Sequence, residues 1–294
     1  MILAEKDNYP VNMMCRVLGL ARSGFYEWLK AGACLDPYKE LKDTIYALWE
    51  GSDRRFGART IHSLIDDETV TLYRVRKCMK ELKIKGMTPR AKKKTTIQDP
   101  QAKQRTDLIR RDFTSPVATY KLVGDITYLK TQEGWLYLSV VIDLYSRMVV
   151  GWAFSRSLAT PLVISSLDMA KGRGYIAKGG IFHSDKGCQY TSQALALWAK
   201  ENDVRLSCGR TGSCHDNAVA ESFFATLKNE MYYLNNFATR AEAKQAVIGY
   251  IEGYYNRCRP HSTLDYQIPA VVMNDFMNRC DKAFLEEEEG LLAA

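Results

Sequence analysis

The sequence predicts an α/β protein: a five-stranded mixed sheet with helices, preceded by a helical, basic N-terminal region. Three observations point there. From about residue 119, apolar alternation with period two produces three strand-like runs within 35 residues, joined by short turns. After them, apolar strands and helical stretches alternate, the pattern of a layered α/β sheet. Before them, apolar spacing is helical, and residues 1–118 carry 23 Lys and Arg against 15 Asp and Glu, a net +8. The remaining 176 residues carry 18 against 19, a net −1, so the N-terminal part is the expected polyanion-binding part.

In chain order, residues 9–30 place Val11, Met14, Cys15, Val17 and Leu18 at helical spacing, break at Gly19, and resume a helix from Ala21 to Lys30. Helix, short glycine turn and helix is the pattern of a helix-turn-helix, with Arg22 and Ser23 near the start of the second helix, where base or phosphate contacts are made. The same spacing fits a plain helical hairpin, and both readings stay open on spacing alone. Residues 38–66 continue helical, with Leu41, Ile45, Leu48 and Trp49 on one face and Arg54, Arg55 and Arg59 around a turn. Residues 71–94 hold ten Lys and Arg, among them Arg74, Arg76, Lys77, Lys92, Lys93 and Lys94, against Glu81 alone. Such a run repels itself without a polyanion, so phosphate binding is expected there. Residues 91–106 lack apolar periodicity and contain Pro100, which marks a linker.

KLVGDITYLK, WLYLSVVIDLYS and RMVVGWAFS then read as an antiparallel meander with turns at Gly134 and at Ser146–Arg147. Residues 160–171 read as a helix, IFHS as a fourth strand after Gly179–Gly180, residues 191–201 as a helix, and VRLSCG as a fifth strand. A helix follows over 217–232, with Asp216 as its expected N-cap, and another over 239–258. The RNase H-like fold has this order. The chain's end, with EEEE at 286–289, is expected to be disordered and solvated.

Three acids stand in apolar or small-residue surroundings: Asp125 mid-strand in VGDITYLK, Asp185 at the strand–turn junction HSDKG, and Glu221 one turn into its helix, with thirty-five residues between it and Asp185. A carboxylate in such surroundings must be paired, neutralised or bound to a cation. Three converging carboxylates suit hard divalent ions such as Mg²⁺, and the chemistry needing that oxygen set is two-metal phosphoryl transfer. Lys228, seven residues after Glu221, lies two turns on along the same helical face, placed for a phosphate. Asp143, in VVIDLYS, is a rival second carboxylate that spacing does not exclude.

Other chemistries find little support. Eight cysteines occur with no Cys-x-x-Cys pair, and four histidines supply no tight ligand spacing, which argues against zinc. No apolar run reaches the roughly 18 residues needed to span a bilayer, and no apolar leader opens the chain, so reduced thiols and a cytoplasmic location are expected.

HSDKGCQYTS, then DNAVAESFFATLKNE at the Asp-35-Glu spacing with Lys228 beyond, closely resembles the DDE transposases of bacterial insertion sequences, specifically the OrfB product of the IS-three family, in the superfamily of retroviral integrases. GDITYL, GWLYLSVVIDLYSRMVVGW and YYNRCRPHSTLDY fit in the same order, and FGARTIHSLI resembles the segment before the family's catalytic core. The resemblance implies that Asp125, Asp185 and Glu221 are the catalytic, metal-binding triad for Mg²⁺ or Mn²⁺, two ions per site, that Lys228 lies near DNA, and that Asp143 is structural. His183 and Gly187 match positions shaping the turn around the second acid, and Asn217 one that helps the helix start. The implied reaction is metal-dependent cleavage and strand transfer of transposon ends, without a covalent protein–DNA intermediate. The implied partners are transposon-end and target DNA, an OrfA product as fusion or partner, and further copies of the chain on DNA, near the nucleoid.

The chain departs from the family where Leu122 and Gly124 stand in place of a usual Trp and Thr before the first acid, and where Asp265 replaces a usual Gly. A silent DNA-binding regulator and an RNase H-fold nuclease are the alternatives; the intact acids and the family motifs weigh against them. The expected organisation is a helical DNA-binding region over 1–90, a basic linker over 91–118, a catalytic core with C-terminal helices over 119–275, and an acidic tail over 276–294.

Overall fold

The computed structural model describes residues 1–30, 36–87, 106–209 and 217–292, with side chains to residue 280. Lys92, Lys93, Lys94 and Asp216 therefore lie outside the described residues. Two compact units divide at Gly86 and Met87.

Every described element of the first unit is a helix: α1 (Ile2–Glu5), α2 (Val11–Val17), α3 (Arg22–Lys30), α4 (Lys39–Gly51), α5 (Ala58–Leu64) and α6 (Leu72–Glu81). Helices α2 and α3 are joined by a turn in which Gly19 takes φ +67°, a backbone conformation that side chains resist. Cys15 and Phe25 face each other with Ile2 in one small core. A second core gathers Ile45, Ile61, Val75, Cys78 and Met79 from α4, α5 and α6. Thr71 caps α6 by accepting from Arg74 N–H. On α6 the apolar stripe is buried, whereas Arg74, Arg76 and Lys77 are exposed, as its amphipathic pattern requires.

The second unit is built on one sheet: β1 (Lys121–Thr131), β2 (Gly134–Asp143), β3 (Val149–Ser155), β4 (Ile181–Ser184) and β5 (Arg205–Cys208), in spatial order β3-β2-β1-β4-β5. The first three are antiparallel; β4 runs parallel to β1 and β5 parallel to β4. That is the RNase H-like order, reached by the meander and crossovers the sequence predicts. The crossover helices are α7 (Thr160–Gly172), then the one-turn α8 (Cys188–Thr191) with α9 (Gln193–Glu201), followed by α10 (Ala218–Glu230), α11 (Arg240–Ile248) and α12 (Pro269–Leu292).

Strand parity sorts the core into two layers. Val123, Leu129 and Val140 pack with Phe223, Phe224 and Leu227 of α10, Val247 of α11 and Tyr255. Leu122, Val141, Val150 and Phe182 face the other way, onto Val163 and Leu167 of α7, Trp198 of α9 and Met273 of α12. Asp125, two residues beyond Val123, thus belongs to the α10 face. Asp143 is fully buried and accepts from Thr119 N–H, Ser146 N–H and Ser146 Oγ–H, each within 2.8 Å. It ties the β2–β3 turn to the entry of β1, a structural role.

Three sequence expectations change. The tail is helical as far as it is described: α12 continues to Leu292, through the four glutamates. Glutamate is a good helix former, and a helix nucleated upstream, where Met273, Phe276 and Met277 pack on the core, extends into it at little cost. Residues 107–118, read from composition as linker, are packed: Ile109 and Ala118 are buried, Leu108 N–H donates to Ser207 Oγ, and Arg147 donates to the Phe113 carbonyl. Isolated apolar anchors between turns leave no period to detect. The helix expected over 239–258 is α-helical only to Ile248 and continues as a π-helix over Gly249–Tyr255, which turns Tyr250, Ile251 and Tyr255 into the core.

Asp265 adopts the left-handed conformation, φ 50° and ψ 41°, immediately after the 3₁₀ turn Ser262–Leu264. This accounts for glycine as the usual residue there, and Asp is one of the few side chains that tolerate it. Asp265→Gly should change stability by no more than about +1 kcal/mol, whereas Asp265→Val should cost about 1–2 kcal/mol, read by thermal unfolding. Equal melting temperatures for the two variants would show that this turn carries no strain.

Candidate active site

The site forms where β1 and β4 run side by side beneath the start of α10. The parallel register pairs Leu122 with Phe182 and Val123 with His183, so Asp125 and Asp185 stand two residues beyond the last pair on neighbouring strands. Adjacent strands lie about 4.8 Å apart, which puts both carboxyls at one level on one face. Asp125 Oδ1 accepts from Ile126 N–H at 2.8 Å, and Asp185 Oδ1 accepts from Gly187 N–H at 2.9 Å. A side chain on Gly187 would meet Asp185 Oδ1 at 3.1 Å and Gln189 Oε1 at 3.0 Å, so the turn holds the acid by close backbone approach.

Asn217 brings the helix to the strand. It occupies the N-cap position of α10, but its side chain makes no cap bond. Instead, Asn217 Nδ2 donates to the Gly124 carbonyl at 3.0 Å, one residue before Asp125, while Asn217 C=O accepts from Glu221 N–H at 3.1 Å. Asn217 thus opens the helix with its backbone and uses its side chain to tie α10 to β1. Asn217 Oδ1 is buried with no partner among the described residues. Glu221 sits in the first turn of α10, where the helix N-terminus favours its charge. Lys228, two turns on, lies with Nζ 5.0 Å from the centre of the Tyr128 ring.

The electrostatics record the convergence. Burial pushes the Asp125 carboxyl up to about 8; the Asp185 and Glu221 charges add to the rise, while Ile126 N–H and Lys228 oppose it. Asp185 is also raised, first by burial and then by Glu221, with Gly187 N–H and His183 opposing. Three carboxyls from three segments thus lie in one another's fields, with Lys228 beside them. His183 is buried, with Nδ1 2.8 Å from Ser207 Oγ and its ring edge-on to Phe113. These contacts suit the expected part of His183 in shaping the turn. Tyr190, which sequence reasoning missed, is a buried phenol that both Asp125 and Asp185 push further up. Its only signal is its position five residues after Asp185, which puts it in the apolar layer beneath α7.

The donor set fits a hard divalent cation: all oxygen, half-buried, and mutually repelling until a positive charge enters. Among the described residues, no three His, Cys, Asp or Glu side chains are already gathered closely enough to hold an ion. Arg22, at the start of α3, lies over Tyr26, and Lys77 over the Tyr38 ring at 5.3 Å; both belong to the first unit, away from these acids in sequence.

Because the folded protein holds Asp125 protonated to higher pH than the unfolded chain does, the native state binds more protons between about pH 4 and 8. Stability of the metal-free protein should therefore fall as pH rises through that window, with a limiting slope of about 1.4 kcal/mol per pH unit per group. Asp125→Asn should flatten the fall, as read by melting temperature at pH 5, 6.5 and 8. A wild-type curve level across this range would show that the carboxyl is not held up.

Comparison with known proteins supplies the family. Residues 117–214 and 202–269 each match a model described as Integrase core domain, and residues 37–92 match an HTH-like domain. Transposase InsF for insertion sequence IS3A, from Escherichia coli (strain K12), is 34% identical over 265 residues, 88% of this chain and 92% of that protein. The chain belongs to the IS3 family of insertion-sequence transposases. The transposase for insertion sequence element IS904 from Lactococcus lactis subsp. lactis (strain IL1403) is 36% identical over 231 residues, 78% of this chain and 91% of that one. Two solved structures overlap more loosely. The simian T-cell lymphotropic virus intasome in complex with PP2A regulatory subunit B56 gamma is 16% identical over 74% of this chain and 70% of that one, with TM-score 0.44. The HTLV-2 integrase catalytic core domain in complex with magnesium (dimeric form) is 16% identical over 52% and 95%, with TM-score 0.40.

As an IS3-family DDE transposase, the protein is a polynucleotidyl transferase that cleaves and joins DNA strands with a divalent metal. The HTH-like match falls on 37–92, which holds α4, α5 and α6, and not on the α2–α3 pair that the sequence singled out. No described helix is long and apolar enough to cross a membrane.

Proposed function

We propose that Asp125, Asp185 and Glu221 are the catalytic carboxylates of this IS3-family transposase, and that together they hold a pair of Mg²⁺ or Mn²⁺ ions. The observation that carries this reading is the β1–β4 register, which sets Asp125 and Asp185 two residues beyond its last pair, with α10, which carries Glu221 in its first turn, tied to Gly124 by Asn217. When bound, the ions would activate the attacking water or 3′-hydroxyl and stabilise the leaving oxygen. The chain's own residues set the geometry. Gly187 N–H fixes one Asp185 oxygen, Asn217 locks α10 to β1, and His183 braces the turn through Ser207. Lys228 then meets a DNA phosphate beside the acids. The silent-regulator and nuclease readings have no observation in their favour.

Recognition of DNA is assigned to the N-terminal region over 1–90, through Arg22, Arg74, Arg76 and Lys77, continuing into a basic linker over 91–106 with Lys92, Lys93 and Lys94; the catalytic core spans 119–275, with the packed segment 107–118 leading into it. The protein acts on transposon ends and target DNA as a homo-oligomer, with the OrfA product as fusion or partner, in the cytoplasm at the nucleoid. Neutralising Arg74, Arg76 and Lys77 together should weaken binding on all sequences alike and lower the slope of log affinity against log salt by about 2–3, as measured by fluorescence anisotropy at 50–200 mM salt. An unchanged slope would make that face of α6 a solvated surface only. The central test is metal-dependent joining of labelled transposon-end DNA by the wild type beside Asp185→Asn; joining by both would remove the assignment.

A further inference from the structure

We infer that the side-chain oxygen of Asn217, Oδ1, is a fourth and uncharged donor to the divalent cation held by Asp125, Asp185 and Glu221. This rests on the reading of those three acids as the catalytic carboxylates. It starts from a buried polar atom. Asn217 is 6% exposed; its Nδ2 donates to the Gly124 carbonyl at 3.0 Å, and its Oδ1 is paired with nothing among the described residues. The Gly124 carbonyl can only accept, so the amide cannot be turned round, and Oδ1 faces away from that carbonyl. A buried acceptor left unpaired is costly, and it calls for a water, a ligand or an ion to complete it.

Strand register locates that oxygen. Ile181 N–H donates to the Tyr120 carbonyl and Leu144 N–H to the Lys121 carbonyl, so even-numbered carbonyls on β1 face β4 and odd-numbered ones face β2. The Gly124 carbonyl therefore points toward β4, one residue past the last pair, Val123 with His183. The next donor on that ladder would be Asp185 N–H, and the Asn217 amide reaches in at the same place. It stands in the fork between β1 and β4, where Asp125 and Asp185 are level with each other. Ile181 packs in the α10 layer and Phe182 in the opposite one, so the parity that turns Asp125 toward α10 carries on to Asp185. Glu221, four residues after Asn217, shares its face of α10, and Glu221 N–H donates to the Asn217 carbonyl at 3.1 Å. Around the amide stand the three segments that bring one acid each.

The chemistry suits an amide in that fork. Hard divalent ions are held by oxygens, amide carbonyls among them. A fourth carboxylate would add to the repulsion among the three acids, whereas an amide oxygen offers its lone pairs without a charge. The bond from Nδ2 to Gly124 also fixes the direction of Oδ1, as hydrogen bonds behind a metal ligand do.

The test measures Mn²⁺ binding to the DNA-free full chain by electron paramagnetic resonance, with thermal melts in parallel. Asn217→Asp removes the donor to Gly124 and sets a charged oxygen where the neutral one stood. It should bind Mn²⁺ about tenfold more tightly than wild type, and Asn217→Ala about fivefold more weakly. Ala218→Asp puts the same charge on the next, exposed residue of α10 and should tighten binding by no more than about threefold. A tie to β1 and nothing more gives Asn217→Asp the opposite sign, because both Asn217 variants break the bond to Gly124. Weaker binding by Asn217→Asp, or a gain no greater than that of Ala218→Asp, would overturn the inference. Should Asn217→Asp be unfolded without metal, a cooperative melt regained with Mn²⁺ would support the inference, and a chain that stays unfolded would overturn it. The carboxylate reading fails separately: it falls if Asp185→Asn binds Mn²⁺ as tightly as wild type, whatever the Asn217 variants do.

Discussion

Asp185→Asn is expected to abolish strand transfer, by about 10³-fold or more, while leaving DNA binding intact and raising the melting temperature of the metal-free protein. The two directions follow from one cause. Asp185 is raised by burial and by Glu221, so its charge costs stability in the absence of a cation. Asparagine keeps the shape and can still accept the Gly187 N–H, yet carries no charge with which to hold a hard cation. Losing one of three anionic donors removes the electrostatic stabilisation that phosphoryl transfer depends on, worth roughly 4 kcal/mol or more of the barrier. Asp125→Asn should behave alike. Asp143→Asn provides the contrast: it sets an amide among donors that now point at a carboxylate, so it should lower the melting temperature, and any loss of joining should follow the loss of fold. A single-turnover joining assay and a thermal melt on the same preparations decide the matter. Should Asp185→Asn destabilise the protein and Asp143→Asn not, the two acids would have to exchange roles.

What the sequence made legible divides along physical lines. Strand runs such as 121–131 and 134–143 were readable because burial on opposite faces imposes alternation, and Leu122 and Val123 sort into opposite layers as that pattern requires. The acids were readable because a carboxyl among apolar neighbours needs a reason to be there. The unread features depend on contacts between segments distant in sequence. Nothing local shows that Asn217 would bond to Gly124, ninety-three residues away, instead of capping its own helix. The π-helix over Gly249–Tyr255 answers to packing of Tyr250 and Tyr255, since the local sequence supports an ordinary helix equally well. Glutamates at the chain's end argue for solvation by charge and for helix by propensity, and only the upstream anchor at Met273 decides between them.

Gly124 joins one of these distant contacts to the site itself. A side chain there would place Cβ 2.3 Å from Phe182 Cζ and 2.5 Å from Cε2, with the Val140 carbonyl at 3.3 Å. The Phe182 ring is 1% exposed and lies 6.2 Å from the Tyr190 ring, so it has nowhere to retreat. The chain has therefore exchanged the threonine usual in the family for a glycine and filled the space from β4. Gly124→Ala should cost about 2–3 kcal/mol, and Gly124→Thr more, since overpacking a filled core forces ring and strand apart. Joining should suffer beyond the loss of stability, because the Gly124 carbonyl holds Asn217 and, through it, the start of α10 that carries Glu221. Phe182→Leu alone removes apolar volume and should cost about 1–2 kcal/mol. Combined with Gly124→Thr it should restore much of the loss, giving a coupling of roughly 1–2 kcal/mol in a double-mutant cycle. Chemical denaturation of the four proteins measures the cycle. Strict additivity would mean that β1 and β4 shift apart freely here, and that Asn217 rather than the glycine sets the spacing between Asp125 and Asp185.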